Sequence, residues 1–548
     1  MTAVTLNQSV ASELPVWRVR RELAFAGLVT GVVAAVLLVV GPAPGDAAAH
    51  LYRTLLVQHG VLVWDNYWYA GDYPLSSYSL LYYLPAAVVG NLPLVFAAAV
   101  GSTVLFASVA LREWGSAAFW PCRVFGVLAA APLFTGLYSY SLGFAAMLGT
   151  LKALQVRRTV VAFLLAALTV GFSPLAFAFL VLILGAVFLA NRRTSKRTLL
   201  IGAGLVAVAG VQVTALVVFP SGNGVYPFHP VDFGAILGLC VLGVLVGRRA
   251  RLAAPLVAFY TLWGLGSVIV FLVPSPLGDN WTRLAAFAFP LMLLTASLSG
   301  FRPRRLVALA LAVSFAYNVT PYLLLIPYRL DNRPASASFW QPAIAFLRHH
   351  LQPGFRVEVV PTAAHWESYW IPKAGFPLAR GWYRQTDEVD NSVLYSSHLD
   401  AASYRRWLRS AAVEYVLLAS TQLDWDGGPR EAKVIQSRSS GLTLAFRSSN
   451  WRIYRLSNPT PLVTGPGRAR VIAVGHTTIR MDFSASGRYL LRTHYSPYWS
   501  VRGPGCVRPG PARLTWLQVD RPGSLALSVA SSAEGFLDGL TSRHRGAC

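Results

Sequence analysis

Charge is what this sequence has least of. Only 13% of its 548 residues are Asp, Glu, Lys or Arg, where an ordinary globular domain carries roughly 25%. The deficit excludes a protein that is soluble throughout, because it is concentrated. Residues 23–328 are strongly apolar, and residues 329–548 have the composition of a soluble protein. Acids are scarcer than bases, 23 against 47, and the formal net charge is +24. That excess does not point to nucleic acid, since no basic-aromatic platform is present. The arginines before residue 328 sit in short clusters between apolar runs, and Arg heavily outnumbers Lys. No small-residue cleavage site follows the basic flank Val16 to Glu22 and its apolar run, so that run reads as a signal anchor. There is no phosphate-binding P-loop and no zinc-ligand pair. The apolar runs hold almost no acids or bases and show no clear inverted repeat, which argues against a solute transporter.

What is present is a series of apolar runs with lengths near the roughly 20 residues that cross a bilayer. They fall at about 23–41, 92–111, 118–137, 139–154, 159–172, 174–190, 199–219, 231–247, 253–273, 284–300 and 306–327. The expected fold class is an α-helical polytopic membrane bundle of about eleven transmembrane helices, followed by an extracytoplasmic α/β and β-sandwich C-terminal region. With residues 1–22 in the cytoplasm, eighteen Lys and Arg fall at cytoplasmic ends, and only Arg53 and Arg283 fall outside before residue 328. This asymmetry predicts a multi-pass protein of the plasma (inner) membrane with its C-terminal region outside. Asp46, Asp65, Asp72, Asp232 and Asp279 all fall on the outer side.

The first outer loop, 42–78, is long for a compact bundle, and long loops are usually functional. Asp46 follows Gly45 and is placed to cap a helix from about Ala47 to His59. His50 lies four residues after Asp46 and Arg53 three after His50, so the three share one face. A carboxylate there can act as a general base and a guanidinium can hold a phosphate. Asp46 and His50 could also ligate a divalent cation, although two ligands are too few and a third is not evident nearby. Next come Trp64, Asp65, Asn66, Tyr67, Trp68, Tyr69, Asp72 and Tyr73, aromatic faces interleaved with acids and an amide. That mixture suits a sugar, which stacks on rings while carboxylates and amides take its hydroxyls. An aromatic belt at the lipid interface is the plainer alternative.

The order of a first transmembrane helix, an outer loop with an early acid, many further helices and an outer C-terminal domain resembles the GT-C class of membrane glycosyltransferases. The strings GDAAAHLYR and WDNYWYAGDYPL are similar to the first loop of bacterial multi-pass proteins related to that class. The resemblance implies a polyprenyl-phosphate sugar donor, with a first-loop acid that serves as base or positions the acceptor. Asp46 matches that acid by position, without the adjacent second acid that many members carry.

Asp279 and Arg283 mark a second polar outer loop, where the guanidinium either pairs with Asp279 or holds a lipid phosphate. In the C-terminal region, residues 329–457 read as a small α/β domain. Its expected helices lie over Ser338 to His350 and Ala401 to Ser410, and its strands near 356–360, 413–418, 442–446 and 451–456. Residues 458–548 read as β-sandwich-like from short alternating strands between Gly and Pro turns. Cys506 and Cys548 are the only cysteines expected outside, where oxidising conditions favour a disulfide. Cys122 and Cys240 fall within apolar runs as packing residues.

The expected activity is transfer of a sugar from a polyprenyl-phosphate donor to a cell-envelope glycan or lipid acceptor at the outer face of the lipid bilayer. It needs no soluble cofactor. Asp46 is the expected catalytic residue. His50, Arg53, Trp64, Asp65, Tyr67, Trp68, Tyr69, Asp72, Tyr73, Asp279 and Arg283 are the expected substrate contacts. A non-catalytic scaffold, or a transporter of lipid-linked glycan or solute with the same architecture, is the alternative.

Overall fold

A computed structural model describes residues 14–41, 43–74, 79–191, 196–218, 224–326, 331–529 and 546–548. Most of the expected N-terminal segment (1–13), loop residues 42 and 75–78, and the basic residues Arg192 and Arg193 lie outside the described residues. The chain divides into two compact units.

The first unit is helical. Each of the eleven apolar runs becomes helix, because long stretches of Leu, Val, Ala and Phe satisfy every backbone group internally. Among the described residues six helical stretches are long and apolar enough to cross a membrane: Val16–Val40, Asn91–Thr135, Pro174–Asn191, Pro230–Gly247, Arg251–Leu272 and Arg304–Leu325. A bent pair, Gly278–Leu284 with Ala288–Leu298, makes a seventh if counted as one span, broken by 46°. Two of the runs are short or broken. Thr159–Phe172 has 14 residues, a rise of about 21 Å against a hydrocarbon core of about 30 Å. The run at 118–137 breaks into Phe119–Leu128 and Ala131–Thr135, the latter ending at left-handed Gly136. These helices are compatible with a multi-pass membrane protein. Inside the unit, Phe125 stacks on Phe287 at 5.0 Å, and Phe106 and Phe144 close on the same pair. The Thr30 hydroxyl bonds the Gly126 carbonyl at 2.7 Å and meets the Thr103 hydroxyl at 2.8 Å, tying three helices through one buried polar point.

The second unit contains the described outer-loop residues 45–74 together with 331–529 and 546–548. The loop's rings and amides find their partners in the C-terminal region.

The α/β part is a four-stranded sheet in the order β1-β2-β4-β3. It comprises β1 (Arg356–Val359), β2 (Val413–Ala419), β3 (Leu442–Arg447) and β4 (Trp451–Leu456). β1 and β2 run parallel, and β4 lies antiparallel to β2 and β3. β2 is buried at all seven positions, as a central strand covered on both faces should be. Helices Ala337–His350 and Ala401–Ser410 occur where periodicity placed them. Asp400 caps the second in a reciprocal box with Ser403.

The sandwich pairs two four-stranded sheets. One is ordered β10-β11-β8-β5 and the other β6-β7-β12-β9. Their ranges are β5 (Val463–Thr464), β6 (Ala469–Val474), β7 (Thr478–Phe483), β8 (Gly487–His494), β9 (Trp499–Arg502), β10 (Gly505–Pro509), β11 (Leu514–Val519) and β12 (Gly523–Val529). In β7, β8, β11 and β12 buried and open positions alternate, with Ile479, Met481, Tyr489, Leu491, Leu517, Leu525 and Leu527 facing inward. Cys506 and Cys548 are joined by a disulfide. The chain end is pinned to β10 as well: Val507 N donates to Gly546 O at 2.7 Å and Cys548 N to Val507 O at 3.1 Å.

Candidate functional site

The outer-loop residues build one wall of the second unit. Helix Ala47–Gln58 buries His50, Tyr52 and Arg53, with His50 and Arg53 one turn apart. The chain then doubles back so that Asp65 and Asp72 exchange backbone hydrogen bonds at 2.9 and 3.0 Å. The turn between them takes Tyr69 (φ 50°), Ala70 (φ 59°) and Gly71 (φ 116°) into the left-handed region. Gly71 is required twice over, since a Cβ there would also lie 2.2 Å from the Trp64 ring.

The side chains of this hairpin are spent on structure. Asp65 is fully buried. It accepts from Tyr52 Oη at 2.7 Å, faces His476 Nδ1 at 2.8 Å and accepts from Tyr67 N at 3.3 Å. Asn66 accepts from Trp64 Nε1 and donates to Gly475 O, each at 2.8 Å. Tyr67 Oη donates to Val474 O, Trp68 Nε1 to Ser368 O and Tyr73 Oη to Ser496 Oγ, all at 3.0 Å. Tyr383 N donates to Tyr69 Oη at 2.8 Å. Val63, Trp64 and Tyr73 join the sandwich core, where Trp64 meets Trp499 edge-on at 5.4 Å. Gly381 lets the chain pass flat against Trp68, with room for no Cβ.

Two readings of this stretch therefore change. The faces of Trp64, Tyr67, Trp68, Tyr69 and Tyr73 are buried, so they are core residues of this unit and not an open stacking surface or a lipid belt. Arg53 is also enclosed. It pairs with Asp72, donates from Nε to Tyr383 Oη at 2.7 Å and lies over the Trp68 ring at 4.7 Å. Burial opposes its charge, yet Tyr383, Asp72 and Asp65 outweigh burial and hold it protonated. Its Nη1 is buried without a hydrogen-bond partner among the described residues.

Asp46 differs from the other two loop acids. It occupies the N-cap position of its helix, but its side chain makes no capping bond. It accepts one long hydrogen bond, 3.4 Å from Trp382 Nε1. The expected capping role is thus not taken, because Asp46 has φ −89° and ψ 1° where a capping residue is extended.

Trp382 leads into a pocket at the C-terminal edge of the parallel β1–β2 pair, where ligands of open α/β sheets bind. The pocket is lined by His365, Glu367, Arg380, Trp382 and Asp387, among others. His365 stacks on Trp382. Its Nδ1 lies 3.1 Å from Glu367 and its Nε2 3.6 Å from Asp424. Burial lowers its pKa, but Asp424 and Glu367 prevail and the net shift is upward. Arg384 forks onto Asp424 at 2.8 and 2.9 Å, and its guanidinium lies over both Trp382 and the exposed Trp425. Burial works against the Asp424 anion, but His365 and Arg384 hold its carboxyl well below the usual range.

Behind this pocket Arg380 serves three buried carboxylates. It pairs with Glu358, with Glu431 at 2.8 Å and with Asp387 at 3.2 Å. Tyr404 Oη donates to Glu431 at 2.7 Å and Tyr395 Oη to Asp387 at 2.5 Å. One cation for three acids leaves surplus negative charge. Burial, with Glu431 and Asp387 alongside, pushes the Glu358 carboxyl well above its ordinary range despite Arg380.

The remaining expected residues lie in the first unit or elsewhere. Asp279 accepts from His229 N at 2.9 Å and sits 3.5 Å from His229 Nε2. It does not pair with Arg283, which has no ion-pair partner among the described residues and is half-buried. Among the described residues no group of three or more His, Cys, Asp and Glu is arranged to hold a metal ion, so Asp46 and His50 gain no third ligand there. Asp424 and Trp425 were missed as site residues. Their signal was acid, aromatic, acid and two glycines (Asp424 to Gly428) just after a buried strand. No protein-family model matches this chain, and no curated protein matches it.

Proposed function

We propose that this protein is a multi-pass membrane glycosyltransferase of GT-C type, moving a sugar from a polyprenyl-phosphate donor to an envelope glycan or lipid acceptor. Asp46 is its base. The observation that carries the reading is the contrast among the three loop acids. Asp65 and Asp72 are occupied by Tyr52, His476, Arg53 and backbone amides, whereas Asp46 accepts one 3.4 Å bond among the described residues. A base must keep a lone pair free for the proton it takes. Trp382, which donates to Asp46, lines a pocket with His365, Glu367, Arg380 and Asp387, and Arg384 lies over both Trp382 and the exposed Trp425, so rings, carboxylates and guanidinium groups gather around the partner of Asp46.

The membrane part of the reading rests on charge. Eleven crossings, the N-terminus in the cytoplasm and the second unit outside would put eighteen Lys and Arg on the cytoplasmic side and only Arg53 and Arg283 outside before residue 328. Arg283, without an acid partner among the described residues, is then the candidate contact for the lipid phosphate.

A non-catalytic scaffold of the same architecture is favoured by one observation, the commitment of the loop's aromatic residues to packing. The test between them is product chemistry. Purified protein in nanodiscs is offered a panel of polyprenyl-phosphate sugars with envelope acceptor extracts. Release of polyprenyl phosphate supports the glycosyltransferase. A folded, inserted protein that releases none with any donor supports the scaffold.

A further inference from the structure

Two arginine clusters of the first unit take no part in the site described above. They belong to separate loops of the sequence, Arg248, Arg249 and Arg251 in one and Arg302, Arg304 and Arg305 in the other. The fold brings both loops to one end of the same helices. Gly247, the last residue of Pro230–Gly247, packs so closely on Ala288–Leu298 that a Cβ there would lie 3.1 Å from the Thr295 methyl. That helix ends within a turn, where Gly300 N donates to Ser297 O at 3.1 Å and Phe301 N to Ala296 O at 2.9 Å. Trp114 Nε1 donates to Leu252 O at 3.1 Å, which fixes the first loop against a third helix, Asn91–Trp114.

All six arginines are exposed. Among the described residues of the first unit the arginine in an ion pair is Arg123, with Glu22, and none of these six has an acid partner. Like charges held in adjoining turns repel one another, so this end of the unit favours a counter-charge from outside the chain. Guanidinium groups in such a cluster match a phosphate best, through paired hydrogen bonds.

The surroundings decide which phosphate. Phe301 and Leu252 stand exposed beside the arginines. On Arg304–Leu325, Arg305, Leu309, Ala312 and Ala316 recur at helical spacing and are all exposed, so a guanidinium heads an outward apolar stripe. A matching ligand carries an anion at one end and hydrocarbon along its length. An acidic phospholipid has both, whereas a free anion has only the charge.

We propose that this end of the first unit binds the phosphate headgroup of an acidic phospholipid between the two arginine clusters, with an acyl chain lying along Leu309. The proposal rests on the membrane part of the reading above and not on sugar transfer.

The test places the full-length protein in phosphatidylcholine vesicles with a trace of spin-labelled lipid, and electron spin resonance reads the fraction of that lipid held at the protein. Phosphatidylglycerol should be held about fivefold more tightly than phosphatidylcholine, the worth of roughly one guanidinium at a membrane surface. The triple variant Arg302→Gln, Arg304→Gln, Arg305→Gln should lower that ratio below about twofold. The pair Arg157→Gln, Arg158→Gln, in a different loop, should leave it unchanged. Both variants should unfold at the wild-type temperature in phosphatidylcholine, since the side chains removed are exposed. Excess glycerophosphoglycerol, the soluble headgroup, should not displace the lipid. Equal affinity for both lipids in wild type, an unchanged ratio in the triple variant, an equal fall in the control pair, or displacement by the soluble headgroup would each overturn the proposal. A protein that enters bilayers without preferring acidic lipid leaves the membrane reading standing, whereas one that enters none removes that reading and this proposal together.

Discussion

Arg380 is the residue whose loss should cost this protein most. It is fully enclosed and is the shared partner of Glu358, Asp387 and Glu431. Replacing it with Met keeps most of the volume and leaves three buried carboxylates with two tyrosine hydroxyls and Asn391 as their remaining partners. Removing one member of a buried ion pair costs about 3–5 kcal/mol. In a unit of this size that is a fall in unfolding temperature of about 6–20 °C. The sign of the pH dependence follows. Without Arg380, which holds the Glu358 pKa down, that carboxyl is raised further above its unfolded value. Its protonated form is the one the fold tolerates, so its effect is favourable at low pH and lost as pH rises through the folded value. The deficit of Arg380→Met should therefore shrink between pH 7 and pH 5. Glu358 is already pushed toward its protonated form, so Glu358→Gln alone should cost less than about 1 kcal/mol at pH 7. The assay is thermal unfolding of the full-length protein in detergent, followed by tryptophan fluorescence at both pH values. A loss below about 1 kcal/mol for Arg380→Met, or the same loss at pH 5 and pH 7, would refute the reasoning.

Three further outcomes follow from the second unit. Gly71→Ala should destabilise it by more than about 2 kcal/mol, since φ is positive and the new Cβ meets Trp64, whereas Gly60→Ala should cost about 1 kcal/mol because nothing lies within 4 Å; comparative unfolding temperatures decide. Cys548→Ser opens a disulfide of sequence separation 42, and chain entropy sets its contribution at up to about 4 kcal/mol, read by denaturant unfolding. His365 has a raised pKa, so its contribution to stability is complete below about pH 6.5 and fades as pH rises through the folded value; in His365→Gln the decline of unfolding temperature between pH 6 and pH 8 should flatten.

Local pattern made much of the C-terminal region legible. β1 to β4 and the helices at Ala337–His350 and Ala401–Ser410 fall where alternation and amphipathic spacing placed them, because each element carries its own period. The change from apolar to ordinary composition near residue 328 likewise marked the membrane-type unit. The outer loop was misread because what decides it is not local. Tyr67, Trp68 and Tyr73 find their partners at Val474, Ser368 and Ser496, some 300 to 423 positions away. Composition alone cannot separate an aromatic residue that stacks on a sugar from one that plugs a core. Pairing of Asp279 with Arg283, one of the two readings of that loop, does not occur for a similar reason. Residues 278–287 wind as a 3-10 helix, where four-residue spacing does not bring side chains together, and His229 from another segment takes the carboxylate. Asp46 was singled out by its position in the loop, while Asp424 and Trp425 required the fold that brings the end of β2 beside the segment after β1.

The most direct test is the rate of polyprenyl-phosphate release by Asp46→Asn against wild type, in the same nanodisc preparation and with the donor that wild type accepts. The substitution is nearly isosteric, and among the described residues Asp46 has only the Trp382 bond to lose, so the unfolding temperature should stay at the wild-type value. A base contributes about 10²- to 10⁴-fold, and the rate is predicted to fall by that much. A folded Asp46→Asn that releases polyprenyl phosphate at the wild-type rate would contradict the assignment of Asp46 as the base.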